Sequence, residues 1–218
     1  MISLYTIPLW FLNYTIILGL VFTIITLLVG LYSIKIYKLS MQKQSKIFGV
    51  GFLFIAFSYF IKTLMLLIPF SKLHIERIID VSTFSAWTSL GAYLHILFFL
   101  TGLITILYAT LNVNNFRLFS LILALTIIPL TLSTLKLQAF HILASILLIY
   151  ITGHYLMCYL SYGTKKNILV FLAFLSLLFV NIDLIFSQHS GIYYVLGDLL
   201  SFIAYGLILI KLILITKK

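Results

Sequence analysis

The sequence predicts an all-α integral membrane protein, a bundle of seven transmembrane helices with its N-terminus outside the cell and its C-terminus in the cytoplasm. Hydrophobic residues make up 63% of the 218 residues and charged residues 8%, whereas soluble domains carry roughly 25% charged residues. The apolar residues come in runs of about 20, the length that crosses a hydrocarbon layer about 30 Å thick. The chain is therefore predicted to be a single membrane-embedded domain.

Hydropathy windows of about 19 residues place the seven spans along the chain. The predicted spans cover residues 10–34, 47–69, 90–111, 118–135, 139–160, 168–186 and 192–213. The first is not a cleavable signal peptide, because no Lys or Arg precedes it and its apolar stretch is too long. The fourth is the shortest and contains Pro129, which neighbouring helices can accommodate by pairing the backbone groups that a proline frees.

Residues 71–82, between the second and third spans, predict an outer interfacial helix. Their isoleucines fall on one helical face and their charged residues on the other, a pattern typical of helices that lie in the headgroup region. This segment would be either a linker or a lid over the outer half of the bundle.

The orientation follows from the cations that flank the spans, because cytoplasmic loops carry an excess of Lys and Arg. Ten cations fall on one side of the predicted membrane and three on the other. The ten are Lys35, Lys38, Lys43, Lys46, Arg117, Lys165, Lys166, Lys211, Lys217 and Lys218, and the three are Lys72, Arg77 and Lys136. The first group is predicted to be cytoplasmic, in a protein of the cell membrane.

The formal net charge of +10 does not indicate a nucleic-acid partner. Nucleic-acid binders gather Lys and Arg on one folded face, whereas most cations here lie between apolar runs. The basic segment 35–46 instead predicts contact with anionic lipid at the cytoplasmic surface, with setting the topology as the alternative role. No protein partner can be identified, and the single Cys158 allows neither an internal disulfide nor a multi-cysteine metal site.

Ionisable residues inside the predicted spans indicate a polar site, because a charge at the bilayer centre costs about 2.5–3.5 kcal/mol. At about 1.5 Å per residue, Lys62, His95 and Asp198 lie within about 10 Å of the outer ends of their helices. Asp183 and His141 are shallower. Five side chains from five helices therefore share one level in the outer half of the bundle.

Small and polar residues at helical spacing predict which of these side chains face other helices. The predicted ligand-binding residues are Lys62, His95, Asp183, Asp198, His141, Tyr194, Ser201 and Tyr205. In the functional interpretation, Asp183 or Asp198 balances Lys62 and the histidines bind or titrate. In the alternative, one ion pair only keeps the helices in register.

Cofactor chemistry finds little support in the spacing of the residues. His141 and His154 are about 220° apart around one helix, which argues against haem, and Lys211 lies at the cytoplasmic end of its span, which argues against retinal. Zinc at His95, His141, Asp183 and Asp198 has an acceptable ligand set, but no HxxxH or HExxH motif fixes two ligands on one face. No GxSxG motif or phosphate loop is present either, so enzyme activity is not favoured.

Two classes of function fit this pattern best, with an intramembrane metal-dependent enzyme as a third alternative. The first class is a receptor-like protein that senses a small ligand or a proton. The second is a transporter of small solutes or protons with a 3+1+3 arrangement of helices: the second and sixth spans carry Lys62 and Asp183 late, and the third and seventh carry His95 and Asp198 early. Transporters often place their sites between such repeats.

Two resemblances accompany this interpretation. The length, seven spans and topology are similar to those of the PQ-loop sugar transporters, although no Pro-Gln pair occurs in the chain. The stretch IYKLSMQKQSKIFGVGFLFIAFSYFIK, residues 36–62, resembles a pattern in uncharacterised small seven-span proteins of archaea. Neither resemblance implies a role for a particular residue.

Overall fold

Seven α-helices make up the regular structure of the computed structural model, which describes residues 9–76, 81–113, 115–162, 165–186 and 192–216. Side chains are described for residues 13–68, 85–113, 115–161, 168–185 and 195–216. The helices are α1 (Leu9–Ser40), α2 (Lys43–Glu76), α3 (Val81–Leu111), α4 (Phe116–Leu132), α5 (Lys136–Tyr162), α6 (Lys165–Phe186) and α7 (Ile192–Thr216).

Six of these helices are long and apolar enough to cross a membrane, and α4, with 17 residues, is shorter. The predicted all-α membrane bundle is confirmed to this extent. Most helices extend beyond the predicted spans, because hydropathy marks the edges of the hydrocarbon layer while helical hydrogen bonding continues past them. Thus α2 passes Pro69 and ends at Glu76.

The predicted interfacial helix over residues 71–82 differs from the structure. Residues 71–76 extend α2, and residues 81–82 begin α3. Residues 77–80 lie outside the described residues. An amphipathic pattern at the end of a long apolar helix is equally compatible with a continuation of that helix, which is what the structure has over residues 71–76.

Six helices form a closed ring. Neighbouring pairs pack in the order α1, α2, α3, α5, α6 and α7, and α7 returns to α1. The remaining helix, α4, packs outside the ring against α3 and α5. The ring interior holds large buried side chains from several helices, among them Phe52, Leu100, Leu148, Phe174 and Tyr205.

The two ends of the bundle are distinct. At one end, where α1, α3, α5 and α7 begin, the ammonium of Lys136 lies 4.7 Å from the centre of the Tyr93 ring. At the other, the hydroxyl of Ser33 donates to the carbonyl oxygen of Ser45 at 2.7 Å. We call these the site end and the basic end. Which end faces the cytoplasm remains a prediction.

The helix α4 runs from the basic end to the site end. Near its start, the ring of Phe119 lies 5.5 Å from that of Tyr108 in the last turn of α3. After it, α5 begins with Lys136 beside Tyr93 in the first half of α3. At about 1.5 Å per residue, 17 residues cover about 25 Å. The described helices therefore pass between the two ends seven times.

The first three helices pack with their backbones close together. A Cβ added at Gly102 of α3 would lie 2.7 Å from the carbonyl oxygen of Gly51 of α2, and one at Gly49 of α2 would lie 2.9 Å from that of Gly30 of α1. Small residues permit such close approach of membrane helices. In the α5–α7 half, by contrast, a Cβ at Gly153 would meet nothing within 4 Å.

Candidate functional site

Four ionisable side chains from four helices lie within electrostatic range of one another near the site end. Lys62 of α2 interacts electrostatically with Asp198 of α7, His95 of α3 and His141 of α5. The two histidines also interact with each other. We call Lys62, His95, His141 and Asp198 the Lys62 cluster. His141 is only 7% exposed, and the other three are half-buried.

The carboxylate of Asp198 has two kinds of partner. Lys62 supplies an opposite charge, and the hydroxyl of Tyr14, in the second turn of α1, forms a hydrogen bond with the carboxylate. An ionised carboxylate only accepts hydrogen bonds, so Tyr14 is the donor to it. Because α1 and α7 are neighbours in the ring, this bond joins the first helix to the last.

His141 is oriented by an asparagine on the adjacent helix. Its Nδ1 lies 3.2 Å from Oδ1 of Asn181, whose Nδ2 donates to the carbonyl oxygen of Leu177 at 2.9 Å. Because that second bond fixes Oδ1 as the acceptor, Nδ1 of His141 must carry the proton. In neutral His141, Nε2 is then the nitrogen that can accept a hydrogen bond.

One ring nitrogen of His95, Nδ1, is buried without a hydrogen-bond partner in the structure. The backbone of Ser58 lies close enough to the ring to interact with it. Nδ1 accepts a hydrogen bond in the tautomer protonated at Nε2 and donates one in the other tautomer. The ring is held by Tyr59 at 5.2 Å and Phe99 at 5.6 Å between centres.

An aromatic layer lies deeper in the bundle than the Lys62 cluster. The hydroxyls of Tyr59 in α2 and Tyr205 in α7 are 3.1 Å apart and hydrogen-bonded. The ring of Phe22 in α1 lies 5.2 Å from that of Tyr59 and 5.8 Å from that of Tyr205. We call Phe22, Tyr59 and Tyr205 the aromatic floor. It joins the three helices directly below the cluster.

The structure brings together most, but not all, of the residues predicted from the sequence. Lys62, His95, His141 and Asp198 form the cluster, and Tyr205 belongs to the aromatic floor. Ser201 is buried on the inner face of α7, between Asp198 and Tyr205 in sequence. Tyr194 belongs to α7, but its side chain lies outside the described side chains.

Asp183 is the predicted site residue for which no contact with the Lys62 cluster is found among the described side chains. Asn181 contacts His141, and a residue two positions later lies about 200° around an ideal helix. Oδ2 of Asp183 is buried and has no hydrogen-bond partner in the structure. Of the two carboxylates considered as the partner of Lys62, Asp198 is the one for which the interaction is found.

Three residues of the site were not singled out from the sequence: Tyr14, Tyr59 and Asn181. A search for ionisable residues in apolar spans passes over neutral hydrogen-bonding side chains. Asn181 gave a usable signal, since an asparagine in an apolar helix usually bonds to another helix. Tyr14 and Tyr59 gave none, because the chain contains 14 tyrosines.

The described side chains contain no group of three or more His, Cys, Asp or Glu residues placed to hold an ion. His95, His141, Asp183 and Asp198, considered for zinc, do not form such a group. The ammonium of Lys62 would also repel a cation placed between the two histidines.

The fold defines an α-helical, multi-pass membrane protein, and the site is a cluster of ionisable side chains within its bundle. No family model matches the chain, and neither a curated protein nor a solved structure matches it. The two resemblances seen in the sequence therefore stay predictions.

Proposed function

We propose that this protein is a receptor-like membrane protein that binds a small polar ligand at the Lys62 cluster. The observation that supports the proposal is the electrostatic interaction among four ionisable side chains from four helices in a chain with only 8% charged residues. Each charge in a hydrocarbon layer costs about 2.5–3.5 kcal/mol. Holding helices together needs no such set, because the glycine contacts and the apolar core already do so.

The hydrogen-bonding groups of the cluster suggest the chemistry of the ligand. Lys62 offers a positively charged donor, and Nδ1 of His95 is a buried nitrogen without a partner, which accepts a hydrogen bond in the tautomer protonated at Nε2. A small molecule with an anionic group and a nearby N–H or O–H would satisfy both. Amino acids and hydroxy acids have this combination. Protons are the simpler alternative signal, because histidine is the side chain that ordinarily titrates between pH 5 and 8.

Binding would change the contacts between helices. An anionic ligand competes with Asp198 for Lys62, and so weakens the attraction between α2 and α7. These two helices also share the hydroxyl contact of the aromatic floor, 3.1 Å between Tyr59 and Tyr205. A shift of α7 against α2 would be the response passed to the basic end.

Binding can be measured by thermal denaturation of the protein in lipid nanodiscs with acetate, lactate, glycine and glutamate, and at varied pH. We expect saturable stabilisation of the wild type, about 2.7 kcal/mol when a ligand is at a hundred times its Kd. K62M and D198N should abolish the response. D183N is the matched control, since Asp198 and not Asp183 interacts with Lys62, and it should respond as the wild type does.

Two results of this experiment would contradict the proposal or its assignment of the carboxylate. If K62M and D198N respond to ligand and pH as the wild type does and lose only thermal stability, the cluster is structural. If D183N loses the response while D198N keeps it, the assignment of the carboxylate is wrong.

A transporter is the second candidate, and the helix arrangement favours it. The neighbour relations of α1, α2 and α3 are repeated by α5, α6 and α7, with α4 outside the ring, as expected for a 3+1+3 arrangement. Liposomes loaded with an unlabelled compound that stabilises the protein separate the two functions. We expect saturable binding without net flux, whereas counterflow of the labelled compound would favour transport.

A further inference from the structure

The basic end of the bundle carries charge of one sign. The chain contains only four acidic residues. The three that the structure describes, Glu76, Asp183 and Asp198, lie at the site end of their helices. The end of α1, the start of α2 and the start of α4 carry exposed cations at the opposite end. They are Lys35, Lys38, Lys43, Lys46 and Arg117. The described part of this end contains no acidic residue that could neutralise them.

A cleft of about 330 Å³ opens at this end between the start of α2 and the end of α3. Its polar lining includes Lys43, Gln44 and Asn112, and its apolar lining includes Ile47 and Val113. Tyr108 also lines it, and a tyrosine with an apolar ring and a polar hydroxyl is typical of the membrane interface.

The walls of the cleft are held in place by defined contacts. Nε2 of Gln44 donates to Oδ1 of Asn112, which joins the start of α2 to the residue after α3. Asn112 has a φ of 54°, a left-handed conformation that asparagine tolerates better than most residues. The ring of Tyr108 packs on Phe119 of α4 at 5.5 Å between centres. The cleft is thus fixed by three helices.

We infer that this cleft binds the headgroup of an anionic phospholipid. Its lining has a polar part and an apolar part. A phospholipid has the same two parts where its headgroup joins its acyl chains. Lys43 provides charge complementary to a phosphate, and the surrounding cations, without a nearby acid, raise the local concentration of anionic lipid. A free phosphate ion would use Lys43 but would leave the apolar wall of Ile47 and Val113 without a partner.

Specific binding of a lipid in the cleft differs from general attraction to a positively charged surface. Four variants distinguish the two. K43Q removes the charge that lines the cleft. V113W fills the cleft at a partly exposed position, 38% exposed, without changing the charge. K35Q removes a cation of the basic end outside the cleft, where the ammonium lies over the Tyr32 ring at 6.0 Å. K136Q removes a cation of the site end.

The measurement is native mass spectrometry of the protein in detergent, titrated with phosphatidylglycerol or with phosphatidylcholine of the same acyl chains. We expect the wild type, K35Q and K136Q to retain one phosphatidylglycerol with at least a tenfold preference over phosphatidylcholine. K43Q and V113W should lose that preference while keeping the circular dichroism spectrum of the wild type.

Three outcomes would overturn the inference. The wild type could bind both lipids equally. V113W could keep the full preference while K43Q and K35Q lose it to the same extent, which would show attraction to surface charge without a site. Displacement of phosphatidylglycerol from the wild type by inorganic phosphate at an equal concentration would show that the apolar wall contributes nothing.

Discussion

Buried hydroxyls in this bundle follow two patterns that have opposite consequences for stability. Most serine and threonine hydroxyls donate to a carbonyl of their own helix, as Thr105 does to Thr101 at 2.7 Å. Ser145 and Thr152, on the inner face of α5, have buried hydroxyl oxygens without a hydrogen-bond partner in the structure. An unsatisfied buried hydroxyl costs free energy that its removal recovers.

Thr152 and Thr105 form a matched pair for testing this difference, since they are 6% and 5% exposed. We expect T152V to raise the free energy of unfolding by about 1 kcal/mol, because valine removes an unpaired hydroxyl at nearly constant volume. T105V should lower it by about 1 kcal/mol, the typical net contribution of an intramolecular hydrogen bond, here one within α3.

Thermal denaturation of both variants in the same detergent measures these changes. Destabilisation by T152V of the size seen with T105V would contradict the prediction. It would show that water or another group pairs with Thr152.

At the level of single residues, the sequence identified the charged members of the site but not the residues that form hydrogen bonds with them. Lys62 and Asp198 could be found because charges in apolar spans are rare. The choice between Asp183 and Asp198 could not be made, because it depends on how α6 and α7 are rotated against their neighbours. That rotation is set by packing such as the contact of Asn181 with His141, and packing is not visible in hydropathy.

Single helices differ in how closely they approach their neighbours. The space that a Cβ atom would have at each glycine shows this difference. A Cβ at Gly102 would lie 2.6 Å from Cγ1 of Ile55 and 2.7 Å from the Gly51 carbonyl oxygen. A backbone atom cannot move aside as the end of a flexible side chain can. The α2–α3 pair is therefore intolerant of any side chain at this position, while Gly153 of α5 has open space around it.

The expected consequence is that G102A lowers the free energy of unfolding by about 1–3 kcal/mol, the usual cost of overpacking. G153A should leave stability unchanged or raise it by up to about 1 kcal/mol, because alanine favours a helix more than glycine does. Thermal denaturation compares the two. Equal effects of both substitutions would mean that α2 and α3 can separate without cost.

The extent of each helix was only partly predictable from hydropathy. The existence of all seven helices followed from apolar runs, because a membrane requires each crossing segment to pair its own backbone groups. The ends did not follow, and neither did the position of α4 outside the ring. Residues 118–135 are as apolar as a central helix would be. Because contact with lipid and contact with other helices both favour apolar side chains, hydropathy does not distinguish a peripheral helix from a central one.

The molecule as a whole has its first and last helices side by side and its two ends chemically distinct. Because the described helices pass between the ends seven times, α1 begins at the site end and α7 finishes at the basic end. The excess of cations predicts that the basic end is cytoplasmic.

Labelling of single cysteines in intact cells tests this orientation, after Cys158, the only cysteine, is replaced by serine. A membrane-impermeant maleimide should label K136C and leave K35C unlabelled until the cells are opened. Both side chains are exposed in the structure, so accessibility reports the side of the membrane. Labelling of K35C in intact cells would show that the orientation is the opposite of the predicted one.

The bond between Tyr14 and Asp198 has a consequence for how the protein is made. A nascent chain that enters the membrane from its N-terminus delivers Lys62 and both histidines long before the helix that carries Asp198 has been translated. The positive charge is then without its carboxylate throughout the insertion of the intervening helices. Arrival of the last helix brings Asp198 to Lys62 and α7 to α1, so the Lys62 cluster and the closed ring are completed by the same helix.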